Sequence, residues 1–379
     1  METKKTHEEE LYLPLPDDLI PQILLRLPVK SLLRFKCVRK SWLSLISDPK
    51  FANSHVQITA PNRRILFISN LDRVTRSINV DGSLDQDDSA ISIPPEVHSL
   101  GLRSHEDEDS RYSIKGSCRG ILVFRTPSGF YLWNPSTRIH KKIPFSPNDN
   151  YLNFFGFGYD PSTDDYLVIS ISHPLNLSFF SLRANTWNQI ESTHDHYTSP
   201  HRKLPQNDGV GLLFNDAIHW FASRKENDLE KHVIVAFDLK ERTFSDIHFP
   251  LDFDPTLDNC GLWVCGGFLS LWSMERSDIS RRCRNVIWVM EEYKLHSSWT
   301  KTITLPIVGF LDPYFLPLCS TKSGHIIRTD YFGTGLDKYD DRGQELENHS
   351  HRNRDHLDPL GYKVAVYTES LISFCDEQA

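Results

Sequence analysis

FGFGYDPSTDDYLVIS, Phe155–Ser170, followed by FFSLRANTWNQI, Phe179–Ile190, is the stretch on which the fold turns. It joins short apolar runs through turns of Gly, Asp, Pro, Ser and Asn, the pattern of β-hairpins. Three further units follow the same plan: Ser117–Phe124 with Phe130–Pro144, Gly209–Ser223 with Val233–Pro250, and Gly261–Trp272 with Val286–Pro306. Aligned on the turn residues Thr137, Thr186, Thr243 and Ser298, they are spaced by 49, 57 and 55 residues. That period lies near the kelch class of propeller repeats, about 50 residues. Each unit reads as a four-stranded blade, which buries its faces only when stacked radially on its neighbours. Trp187, Phe244 and Trp299 are placed to wedge between blades. The flanking segments Arg63–Asp109 and Leu316–Phe374 can each supply one more, giving about six. The last run, Tyr362–Phe374, either closes the ring or packs beside an N-terminal strand.

Before Asn62 the pattern is helical. Within Leu15–Ile46, the residues Leu19, Ile20, Ile23, Leu24 and Leu27 make one apolar stripe at helical period. Pro28 stops that helix. Ser31 is a candidate cap for a second helix carrying Leu32, Leu33, Phe35 and Val38. A third begins near Ser41, holds Trp42, Leu45 and Ile46 on one side, and exits at Asp48-Pro49. Pro21 predicts a break or tightened turn between Asp17 and Pro21. Three short helices in about forty residues cannot enclose a core of their own, so a partner must cover part of this surface.

These residues resemble a known module. Leu15-Pro16, Ile23-Leu24, Arg26-Leu27-Pro28, Lys30-Ser31-Leu32, Arg34–Val38, Lys40-Ser41-Trp42, Leu45-Ile46, Asp48-Pro49 and Phe51 are similar in order and spacing to an F-box. The resemblance implies docking onto a Skp-family adaptor and, through it, a cullin and a RING subunit, in an SCF (Skp–cullin–F-box) ubiquitin ligase. The docking set it implies is Leu15, Pro16, Leu19, Ile20, Ile23, Leu24, Leu27, Pro28, Leu32, Leu33, Val38 and Trp42, some of which must be internal core. Downstream, CRGILVF, LWNPSTR, FGFGYDPSTDDYLVI and the closing Tyr367–Leu371 look like the F-box-associated interaction domain of plant F-box proteins. The kelch glycine pair occurs once, at Gly266-Gly267, so kelch-like describes the propeller better than kelch. The expected class is α+β multidomain: a flexible tail over 1–12, a three-helix F-box over 13–56, and an all-β kelch-like propeller over 62–379. The implied role is a non-catalytic substrate receptor whose propeller holds an unknown protein. Two other readings stay open: a propeller enzyme or small-molecule binder, and an F-box protein acting outside a ligase.

Composition narrows the partners. Of 379 residues, 42 are Lys or Arg and 50 Asp or Glu, a net charge of −8 that argues against nucleic acid. Between Leu15 and Val56 the balance reverses, with seven bases against Asp17, Asp18 and Asp48. A basic helical face can steer docking to an acidic partner, or it is the solvated side of amphipathic helices. No apolar run approaches the ~18 residues of a membrane span. The charged METKKTHEEE lacks a signal peptide's apolar core, so cytosol or nucleus is expected. Seven cysteines without a C-x-x-C pair read as buried free thiols, and the sequons at Asn176 and Asn348 as unused.

Chemistry is scarce. There is no P-loop, G-x-S-x-G, H-E-x-x-H or dinucleotide fingerprint, and no cofactor or metal is expected. Asp160, Asp164 and Asp165 read as turn residues. His194, His196 and His201, and then His349, His351 and His356, fall in polar loops, as does the acidic run His105–Asp109. Arg281, Arg282 and Arg284 form a small basic cluster suited either to solvent or to an acidic target.

Overall fold

Prolines punctuate the first of two units into which the chain divides in the computed structural model, residues 1–61 and 62–379. The structure describes residues 16, 18–69, 74–84, 87–92, 113–126, 128–146, 152–172, 176–190, 197–198, 209–226, 229–254, 260–276, 283–306, 316–329, 333–350 and 362–374. The Leu19 N–H donates to Pro16 O at 3.0 Å, a tightened turn that opens α1 (Leu19–Leu24). Pro21 therefore falls in the first turn, where its missing donor costs little. Pro28, extended at ψ 148°, ends this segment and is itself the N-cap of α2 (Val29–Phe35), so Ser31 lies inside that helix and does not cap it. After α3 (Lys40–Ser47), Asp48-Pro49 is the expected exit, with Asp48 its C-cap, and it is also an opening. Asp48 Oδ1 accepts from the Lys50 N–H at 2.7 Å, and Pro49 occupies the first position of α4 (Pro49–Ile58). The described residues of this unit thus form four helices where three were expected.

From Arg63 the described residues form six antiparallel sheets, a six-bladed propeller. The second blade is β4 (Ser113–Cys118), β5 (Ile121–Thr126), β6 (Gly129–Trp133) and β7 (His140–Ile143), paired in that order from the centre outward. The third is β8 (Leu152–Asp160), β9 (Asp165–Ser172), β10 (Asn176–Ser181) and β11 (Thr186–Ile190). In the fourth, β12 (Tyr197–Thr198) and β13 (Leu212–Phe214) both pair with β14 (Ala217–Glu226), followed by β15 (Leu229–Asp238) and β16 (Phe244–Ile247). The fifth is β17 (Cys260–Cys265), β18 (Phe268–Arg276), β19 (Cys283–Met290) and β20 (Trp299–Pro306). The sixth is β21 (Leu316–Ser320), β22 (Ile326–Thr329), β23 (Gly335–Tyr339) and β24 (Glu345–Ser350). The first blade joins both ends of the domain. Its strands β1 (Arg63–Ser69), β2 (Val74–Asn79) and β3 (Asp87–Ser92) are completed at the centre by β25 (Tyr362–Thr368), paired antiparallel to β1. Innermost strands approach one another in the order β25, β4, β8, β13, β17, β21 and back to β25, so the ring is closed. The two fates foreseen for the last strand are one, because lying beside β1 is what closes the ring.

The core lies between blades. Between the third and fourth, Phe154, Ile169, Ile171 and Leu177 meet Ile218, Trp220 and Val235, all buried. Their inner strands come close enough to bond in parallel: Phe155 N–H donates to Gly209 O and Gly211 N–H to Phe155 O, both at 2.7 Å. Glycine permits the approach, since a Cβ on Gly211 would stand 2.3 Å from Ile218 Cγ2 and 2.5 Å from Trp220 Nε1. At the rim two of the three expected wedges, Trp187 and Trp299, reach the preceding blade. The Trp187 indole N–H donates to Pro144 O at 3.1 Å, and that of Trp299 to His248 O at 3.0 Å. Each ties the start of one outer strand to the end of the preceding one. Phe244 packs within its own blade on Tyr197 and Phe237. Cys118, Cys260, Cys265 and Cys319 are buried free thiols, whereas Cys37 is exposed. Among the described residues no helix is long and apolar enough to cross a membrane.

Candidate docking surfaces

In the helical unit Leu24, Val29, Leu32, Ile46, Phe51 and Ala52 are buried, and the Phe35 and Trp42 rings meet at 5.5 Å. The fourth helix supplies what three lacked. Where α1 ends before Pro28, the carbonyls of Leu25 and Leu27 lose their helical partners. The Thr59 hydroxyl donates to Leu25 O and the buried His55 Nε2 to Leu27 O, each at 2.8 Å. Of the twelve residues proposed for docking, Leu24 and Leu32 are core; Ile20, Leu27, Leu33 and Trp42 are half-buried. Pro16, Leu19, Ile23, Pro28 and Val38 are exposed, and Leu15 lies outside the described residues. Sequence reading missed Leu43, 47 % exposed on α3, and Ile58, 57 % exposed at the end of α4. Leu43 falls off the stripe of Trp42, Leu45 and Ile46, which was the available signal. Among the described residues, ten large apolar side chains are exposed, and five of them (Leu19, Ile23, Val38, Leu43, Ile58) belong to this unit of 61 residues. Apolar exposure this concentrated marks an interaction surface.

In the propeller, two of the motifs that carried the resemblance, CRGILVF and LWNPSTR, meet the closing segment at the seam of the ring. Gly120, at φ +91°, lies so close under the last segment that a Cβ would stand 2.6 Å from Thr368 O. The buried Asn134 amide donates to Ser370 O at 3.1 Å and to Ile372 O at 2.9 Å, while its Oδ1 accepts from the Ser136 N–H at 2.9 Å. Glu369 grips the first residues of the domain. Its N–H donates to Asn62 O at 2.9 Å, its carboxylate accepts from Asn62 Nδ2 at 2.8 Å, and it pairs with Arg64 at 3.5 Å. On the other flank Arg63 donates to Ser320 O, and Lys322 pairs with Asp81 at 3.5 Å. Glu347 accepts from the Leu84 N–H and from Lys338, both at 2.9 Å. The Leu84 bond, against an opposing effect of burial and with help from Lys338, holds that carboxyl below its ordinary value. These motifs build a latch.

The acidic turn is occupied internally. Asp160 accepts from Ser162 N–H at 2.9 Å, Ser162 Oγ at 2.6 Å, Thr163 Oγ1 at 2.9 Å and Arg242 of the next blade at 2.8 Å. Burial alone would raise its pKa, yet these bonds and the guanidinium bring it below the usual carboxylate value. Asp165 accepts from Ser181 and from the Arg183 N–H, and Asp164 from Tyr159. His194, His196, His201, His351, His356, Arg281 and Arg282 lie outside the described residues, as does the acidic run at 105–109. Among the described residues no group of three His, Cys, Asp or Glu is placed to hold a metal.

Residues 64–329 match the model of the F-box associated beta propeller domain. The chain belongs to that family. Residues 13–54 match the F-box domain, whose model stops inside α4. The propeller itself runs further than its own model, through β23, β24 and the closing β25. F-box protein CPR1 of Arabidopsis thaliana is 26 % identical, the alignment covering 95 % of this chain and 89 % of that protein. An F-box/kelch-repeat protein of the same plant is 26 % identical, covering 81 % and 84 %. A solved Bacteroides caccae structure overlaps 82 % of the chain and 99 % of its own with a TM-score of 0.40 and 9 % identity, too slight a likeness to carry an argument.

Proposed function

We propose that this chain is the substrate receptor of an SCF ubiquitin ligase. The observation that carries the reading is the set of apolar side chains left uncovered on a unit that matches an F-box, followed by a propeller of the F-box-associated family. The helical unit docks on a Skp-family adaptor through Pro16, Leu19, Ile23, Pro28, Val38 and Leu43, with Leu24 and Leu32 holding their backbone in place. Full burial of such a side chain contributes about 1.5–3 kcal/mol, so a few anchors suffice for stable docking. The cullin and RING subunit join through the adaptor, and the propeller holds the target protein. Ubiquitin transfer then follows from proximity, and the receptor itself catalyses nothing. In this reading the propeller is kelch-like in its four-stranded blades, and the protein works in cytosol, nucleus or both.

The test is co-purification from a plant extract of the wild-type chain and of Leu19→Ala/Ile23→Ala/Val38→Ala, three surface changes that spare the core. Wild type retaining adaptor and cullin, with both lost from the variant, is the expected result. Adaptor without cullin indicates a role outside the ligase. Failure to retain either removes the docking reading and turns attention to small-molecule binding by the propeller.

A further inference from the structure

Among the described residues, several cations of the propeller are paired, and those exposed on the helical unit are not. In the propeller Arg64, Arg224, Arg242, Lys322, Arg328 and Lys338 each pair with a carboxylate. In the helical unit Arg26, Lys30, Arg34, Arg39, Lys40 and Lys50 are all exposed, and none is in an ion pair among the described residues. An exposed pair contributes little to stability, so folding does not require these charges to be matched or unmatched. Their positions, however, follow the uncovered apolar side chains. Leu19, Ile23 and Arg26 succeed one another at i, i+4 and i+7 along α1 and the turn after it. Lys30, Arg34 and Val38 do so at i, i+4 and i+8, and Lys40 and Leu43 at i and i+3. Each such stretch therefore brings an apolar anchor near a cation that has no carboxylate partner among the described residues.

We propose that this surface is steered onto its partner electrostatically, and that the partner is a protein whose apolar docking groove is rimmed by carboxylates. The inference rests on the docking reading above and adds to it the charge of the adaptor's contact face and the way the complex forms. Cations at the rim of an interface act on the encounter more than on the lifetime of the complex. The apolar anchors then set the dissociation rate, and the cations set how often the two surfaces meet in register. Such steering weakens as salt shortens the reach of the charges.

The experiment is stopped-flow association of the full chain with a purified Skp-family adaptor, from about 20 mM to about 500 mM salt. The association rate is expected to fall by about tenfold or more over that range, with the dissociation rate changing little. Lys30→Glu/Arg34→Glu/Lys40→Glu is expected to associate at least about tenfold more slowly at low salt and to lose the salt dependence. Lys240→Glu, on an exposed propeller turn, serves as the control and is expected to associate like wild type. Circular dichroism of the triple variant checks that its helices persist. Binding at a rate indifferent to both salt and charge reversal overturns steering and leaves docking intact. Absence of binding at every salt concentration overturns both.

Discussion

His219 shows how far one side chain depends on a neighbouring blade. It lies wholly buried on β14, with Nδ1 3.2 Å from Leu212 O and Nε2 2.8 Å from the hydroxyl of Tyr293 in the fifth blade. The carbonyl can only accept, so Nδ1 carries the proton and Nε2 accepts from Tyr293. Burial lowers its pKa from 6.5 to about 4, opposed only in part by the Leu212 carbonyl. Below pH 6.5 the unfolded chain takes up a proton that the folded ring refuses until about 4. The stability this histidine contributes is therefore complete above 6.5 and lost as pH falls through 4, by about 3 kcal/mol. Asp160 and Glu347, both lowered from ordinary values of 3.8 and 4.5, release their contributions only at lower pH. Urea midpoints at several pH values between 7 and 4 should fall for wild type and fall less for His219→Gln; equal slopes would place the effect elsewhere. In the sequence His219 stood unremarked inside an apolar strand, because its hydrogen-bond partner arrives from 74 residues away. Asp160 was readable as a turn residue, since its first partners are two and three residues on.

Among the helices, α4 was the one not seen, and the reason is instructive. Asp followed by Pro ends one helix and begins another with equal ease, because Asp caps and Pro suits the first turn. Here it does both, and His55 and Thr59, packed against Leu27 and Leu25, tie the second helix to the first. His55→Ala should strip Leu27 O of its partner in a buried place, at a cost of about 1–3 kcal/mol. Hydrogen exchange is the measurement: amides of α1 and α2 should lose protection while those of the propeller strands keep theirs. Uniform loss across both units would contradict the independence of the helical unit. The rim tryptophans were legible by contrast. Each sits at the start of an outer strand, and its indole N–H reaches a carbonyl at the end of the preceding one.

At the scale of the whole molecule, four blades could be read from the repeat and two more were expected from its flanks, whereas closure by the last strand was foreseen only as one of two fates. The pairing of β1 with β25 joins residues about 300 positions apart, and no local pattern specifies it. The latch motifs nonetheless announced themselves as a family signature before their purpose was known. Asn134→Ala should remove three closing bonds from a buried site, costing about 2–4 kcal/mol. Glu369→Gln, which keeps the size and weakens the grip on Arg64, should cost less. Thermal unfolding of the two single variants and the double variant measures their coupling. Strict additivity would mean that the two residues do not act on one seam.

Closure by the last strand also bears on how the protein is made. The helical unit is complete once Thr59 has left the ribosome, whereas the first blade waits for residues 362–368. A chain ended by a premature stop before Tyr362 would therefore carry whole helices and an open ring. Such a product keeps every exposed apolar side chain from Leu19 to Leu43 and lacks the strand that finishes the propeller. On the receptor reading it would sequester the adaptor without delivering cargo. A frameshift late in the coding sequence should then act as a dominant inhibitor, where one early in it would be merely silent.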